Sequence, residues 1–147
     1  MKYFNLYVYY KDEEAKKQGI NNRPAEKYID NILELNHDLV EPLRSAWGKY
    51  CKQECLCSPE WHIIAGYRCD ELNKFYEGLK SSPHLKGFAV DFELENGQYA
   101  IFLNFAGQWL RENNIKFDEI VWKVDKKYIH LAIKNNEGKQ RSHIKKE

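Results

Sequence analysis

The sequence predicts an α+β domain, a mainly antiparallel sheet with flanking helices. Three observations carry that expectation. Apolar residues in the first third of the chain recur at steps of three and four, the helical period. Short segments of alternating character follow, mixed with helical ones. The last two of these segments are joined by the polar turn Asp125-Lys126-Lys127, as in an antiparallel pair. At 147 residues the chain has the length of one domain, 1–147. Residues 1–20 read as an N-terminal extension and residues 135–147 as a frayed basic tail.

Taken in order, Lys11 to Lys17 is a short helix closed by Gly19, a residue suited to a helix C-terminus. Pro24 fits a first helical turn. From there Tyr28, Ile32, Leu35, Leu39, Leu43 and Ala46 form one apolar face of a long helix reaching about Trp47. Pro42 lies inside that pattern and predicts a kink near Leu39 to Glu41. Residues 48–60 read as irregular. Trp61 to Arg68 is strand-like, and Asp70 caps a short helix to about Gly78. A loop, Leu79 to Lys86, leads into the alternating strand Phe88 to Leu94. Gln98 to Glu112 has helical spacing again, and Phe117 to Val124 and Tyr128 to Ile133 are the hairpin strands.

Composition excludes several functions. A net charge of +1 gives no field to hold nucleic acid or an acidic membrane. No segment approaches the roughly 20 apolar residues of a membrane span. The start lacks the apolar core and cleavage site of a signal peptide, so cytoplasmic synthesis is expected. Cys51, Cys55 and Cys57 read C-x3-C-x-C, which is not a zinc knuckle, and Cys69 supplies no matching pair. Free thiols in a loop are expected, with a disulfide or an accessory metal site as alternatives.

Chemistry enters through the strand faces. In Phe88 to Leu94 the large apolar residues share one face, and Asp91 projects from the other. In the last strand Ile129, Leu131 and Ile133 are apolar, and His130 projects away from them. His84 precedes the first of these strands in a loop with Gly87. Two histidines and a carboxylate suit a catalytic zinc, which takes three protein ligands and keeps a position open. Spacing alone also fits ordinary exposed or hydrogen-bonded side chains.

Ser82-Pro83-His84-Leu85-Lys86-Gly87-Phe88-Ala89-Val90-Asp91 resembles the S-x-H-x-x-G-x-A-x-D signature of the zinc D-Ala-D-Ala carboxypeptidase and L-alanyl-D-glutamate peptidase family, matching all five fixed positions. That family shares its fold with the hedgehog signalling domain. Gly66-Tyr67-Arg68 with Glu71-Leu72-Asn73 is similar to the family's S-G-Y-R-x-x-E-L-N segment, with Ala65 in place of the serine. Phe117-Asp118-Glu119-Ile120 and Tyr128-Ile129-His130-Leu131 resemble its F-D-Q-L-I and W-x-H-x-S pair. Glu41-Pro42-Leu43-Arg44 resembles the helix before the sheet in short, phage-type members. The resemblance runs over roughly residues 3 to 134. It implies Zn2+ held by His84, Asp91 and His130, Arg68 near the substrate, and Ser82 either bonding near the ligands or shaping their loop. The implied substrates are peptidoglycan stem peptides, met as a monomer and reached by release to the cell wall during phage lysis.

Two departures bear on activity. Relatives carry an acidic residue three positions before the last histidine, where this chain has Lys127, and short members carry a Glu where it has Lys123. A peptidase needs a group to take a proton from water and return it to the leaving amine, and an ammonium does not accept one. Asp125 is the expected proton carrier, since the turn could fold it over the metal, with Glu93 and Glu119 as the other nearby carboxylates. His62 shares a strand face with Arg68 by alternation and is a candidate for lining the cleft. The lysines also allow an alternative from another class, a non-catalytic zinc-binding descendant acting as a binding module.

Overall fold

The computed structural model describes residues 1–147, and its helices precede a sheet as the periodicity predicts. Helix α1 (Glu13–Gln18) begins at Asp12, whose carboxylate accepts from the Ala15 amide, and ends at Gly19 with φ 67. Helix α2 (Glu26–Leu35) runs into one π turn, Asn36–Val40, and then into α3 (Glu41–Gln53). The π turn takes the place of the expected kink. Pro42 has no amide to donate four residues back, and its ring crowds that carbonyl. The chain widens just upstream, where the Glu41 amide bonds to Asn36 O.

Helix α3 passes Trp47 and continues to Gln53, so residues 48–53 are helical rather than irregular. The reason is periodic: Leu43, Trp47 and Cys51 are all buried at steps of four. Cys51 therefore belongs to the core, while Cys55 and Cys57 are exposed, and all four cysteines are free thiols. The first twenty residues reach the core as well, through the fully buried Tyr9.

Strand β1 (Trp61–Ala65) stops short of Arg68 because the chain leaves the sheet at Gly66 to meet the Tyr9 backbone, with Tyr67 N donating to Tyr9 O at 2.6 Å. Helix α4 (Asp70–Phe75) is capped by Cys69, not Asp70, the sulfur accepting from the Leu72 amide at 3.5 Å. Strand β2 (Ala89–Leu94), helix α5 (Tyr99–Glu112) and strands β3 (Glu119–Lys123) and β4 (Tyr128–Ala132) follow. The residues expected to fray end in a fifth strand, β5 (His143–Lys146). The sheet order is β1-β2-β4-β3-β5, antiparallel throughout except that β5 runs parallel to β3.

Strand β5 forms despite its polar sequence because β3 is otherwise an open edge. Amides of Ser142, His143 and Glu147 bond to the carbonyls of Phe117, Asp118 and Trp122. Ile144 lies so close to α5 that a Cβ on Gly107 would meet it at 2.7 Å.

One face of the sheet is the core. Val90, Phe92, Ile120, Ile129 and Leu131 pack with Leu39, Leu43 and Trp47 of the long helix and Phe102 of α5. Trp61 stacks on Phe92 with centroids 4.0 Å apart, and Phe102 stands edge-on to both. Burial of this apolar face fixes the strand register, because a slip of one residue would turn every side chain over. The opposite face is thereby fixed too, and it carries the polar residues described next.

Candidate metal centre

Asp91 on β2 and His130 on β4 are direct register partners, and Val121 lies beside them on β3. Alternation places Glu119 and Lys123 on the same open face as Val121. His84 arrives from a 3-10 turn, Pro83–Lys86, which the sequence suggested only as loop. Ser82 Oγ accepts from the His84 amide at 3.3 Å, Pro83 sets the first turn, and Gly87 closes it at φ 75. Residues 82–87 thus form a rigid support, with the His84 ring turned to the sheet.

The three side chains converge. One ligating atom from each of His84, Asp91 and His130 lies within 4.8 Å of the other two. His84 Nε2 is 3.3 Å from Asp91 Oδ1, and His130 Nδ1 is 2.7 Å from the same oxygen. The outer nitrogen of each ring is also engaged. His84 Nδ1 lies 2.7 Å from Gly66 O, a carbonyl that can only accept, so Nδ1 carries a proton and Nε2 is the nitrogen that faces Asp91. His130 Nε2 lies 3.4 Å from Glu119 Oε1. An outer acceptor on each imidazole is the usual support of metal-ligating histidines.

His84 is only 4% exposed and Asp91 5%, so a bare charge here would be costly without partners. Burial alone would raise the Asp91 carboxyl, but the His84 charge and the bonds from both rings hold it far below the usual carboxylate range. Burial likewise opposes the His130 imidazolium, yet the Asp91 and Glu119 carboxylates outweigh it and lift its pKa to about 9. Glu119 is lowered to about 2, chiefly by its bond from His130 against the opposing effect of burial.

This cluster sits in a cleft of about 600 Å³ lined also by Arg68, Ser82, Glu119, Lys123 and Tyr128. Arg68 donates its amide to His84 O at 3.1 Å, and its guanidinium lies over the Tyr76 ring, 5.0 Å from the centroid. Its Nε is buried without a protein partner. Lys123 faces the cleft with its ammonium paired to Glu147.

Other expected contributors lie elsewhere. Asp125 is exposed at the hairpin tip and does not line the cleft, in a turn that Lys127 closes at φ 56. Glu93 is exposed opposite His62, and His62 bonds to Glu95 at 3.3 Å on the surface, outside the cleft. The carboxylate that does reach the cluster is Glu119. Alternation along Glu119, Val121 and Lys123 was the available signal once β3 was paired with β4.

A family model described as Peptidase M15 matches residues 2–132. The chain belongs to the peptidase M15 family. No curated protein and no solved structure matches it. M15 peptidases are typically zinc-dependent, and the donor set here fits that ion: two imidazole nitrogens and one carboxylate oxygen around a common point, with the outer nitrogens tied back. No helix of this M15 chain is long and apolar enough to cross a membrane.

Proposed function

We propose that this M15 chain is a zinc peptidase that hydrolyses peptide bonds in peptidoglycan stem peptides, acting as a monomer released to the cell wall during phage lysis. The observation that carries the reading is the convergence of His84, Asp91 and His130 beside Arg68 in one cleft. A zinc ion held by those three residues would supply a Lewis acid that polarises a carbonyl and acidifies water. Arg68, fixed by its backbone bond to His84 and its stacking on Tyr76, binds the substrate carboxylate or the developing oxyanion. Gly66 and Ser82 hold His84 from two sides, so the cleft keeps its shape before substrate arrives.

Proton transfer is the open step. Lys123 and Lys127 stand where relatives have carboxylates, and Lys123 lines the cleft. That specific observation favours a second reading, a non-catalytic zinc-binding module of the same fold. Incubating the zinc-loaded chain with muropeptides, followed by mass spectrometry, separates the two. Cleavage by the wild type, lost in Arg68→Ala, supports the peptidase. Absence of cleavage by the wild type, with hydrolysis gained in Lys123→Glu, supports the binding module.

A further inference from the structure

The family match ends at residue 132, yet the segment beyond it reaches the metal centre. Asn136 bonds to Ser82 O through Nδ2 at 3.1 Å, and its carbonyl accepts from Lys86 Nζ at 2.7 Å, bracing the turn that carries His84. On the other side, Arg141 makes a two-pronged contact with Asp118, both prongs 2.8 Å, and Asp118 is fully buried. That contact fixes where the guanidinium lies. Lys145, on β5, sits in register beside Val121, one strand further from His130.

Both cations converge on Glu119, and its two oxygens divide their partners. Oε1 faces His130 Nε2 at 3.4 Å, while Oε2 lies 3.7 Å from Arg141 Nη2 and 3.7 Å from Lys145 Nζ. A glutamate on an open strand face has three freely turning bonds and would otherwise turn toward water. Cations on its outer side hold the inner oxygen against the imidazole. A His130 Nε2–H that donates to Glu119 leaves Nδ1, the nitrogen beside Asp91, to ligate a metal.

We propose that Glu119 is a positioning residue for the ligand His130, and that Arg141 and Lys145, from the segment outside the family match, hold it in that role. The inference rests on the metal reading of the site and not on peptidase activity. It makes the stretch after residue 132 a working part of the metal centre.

The test is zinc affinity of the full chain, stripped by dialysis and titrated against a chromophoric chelator, with the visible spectrum of the cobalt(II) form as a second readout. Glu119→Ala is expected to weaken zinc about 10–100-fold and to shift the cobalt bands. Glu119→Gln, whose amide oxygen still accepts from Nε2–H, should recover part of both. Arg141 also neutralises buried Asp118, so Lys145→Gln is the cleaner variant, since Lys145 is nearly half exposed. It should weaken zinc several-fold in the wild-type background and have no effect in the Glu119→Ala background. Unchanged affinity and spectrum in Glu119→Ala would overturn the proposal, as would an equal Lys145→Gln loss in both backgrounds. A wild type that takes up no zinc would overturn the metal reading itself. A zinc-binding wild type that cuts no peptide counts against the peptidase reading alone.

Discussion

Gly66→Ala joins the fold to the site more sharply than any other single substitution. A Cβ at this position would stand 2.2 Å from Tyr9 O and 2.8 Å from Tyr9 C, where ordinary contact begins at 3.4 Å. Both obstacles are backbone, so no rotamer relieves them, and the two segments must part by roughly 1 Å, an overpacking strain of about 1–3 kcal/mol. Parting them also stretches the 2.6 Å bond from Tyr67 N to Tyr9 O, a further loss of about 1 kcal/mol. A total near 3 kcal/mol should lower Tm by about 6–12 °C for a chain of this size. The same movement drags Gly66 O away from His84 Nδ1, so zinc affinity should fall along with stability. Thermal melts by circular dichroism and a zinc competition titration on one preparation check both effects. A variant with wild-type Tm, or one destabilised as expected with unaltered zinc affinity, would refute the link between this close approach and the His84 support.

Arg141→Ala strips the two-pronged partner from a buried carboxylate that keeps only the Arg141 amide, so urea denaturation should show a loss of about 1–3 kcal/mol; an unchanged stability would restore the frayed-tail reading. In the chelated protein the His130 pKa of about 9 lies above its ordinary 6.5. The stability it contributes is therefore full below about pH 6.5 and lost as pH rises through about 9, a decline in Tm that His130→Asn should remove. Protons compete with zinc over the same window, so zinc affinity should climb with pH up to about 9, with proton release measurable by calorimetry in two buffers. Asp125→Asn, exposed and outside the cleft, should change neither zinc uptake nor any muropeptide cleavage, as assayed by mass spectrometry.

The sheet and two of the three clustered side chains were legible because alternation is a strict code. Once Val90 and Phe92 face a core, Asp91 must face away, and the same holds for His130 between Ile129 and Leu131. The Ser82 to Asp91 motif then added His84, which no periodicity could place. What stayed hidden depends on contacts between distant segments. Asp125 falls at the exposed hairpin tip while Glu119 reaches the cleft, and that depends on the register that pairs Lys123 with Tyr128. The tail looked solvated because its side chains are basic. Its order comes instead from backbone pairing with β3 and from one buried aspartate, Asp118, neither visible in composition. The π turn was legible only as a disturbance near Pro42, since a widened turn and a kink satisfy the same missing amide.

Equilibrium dialysis against zinc shows whether His84, Asp91 and His130 form one metal centre. Asp91 lies between the two rings, so it is the residue to remove. One tightly held zinc per wild-type chain is expected and none retained by Asp91→Ala, with both proteins folded by circular dichroism. A folded wild type that leaves dialysis without zinc, or an Asp91→Ala chain that retains as much as the wild type, would contradict it.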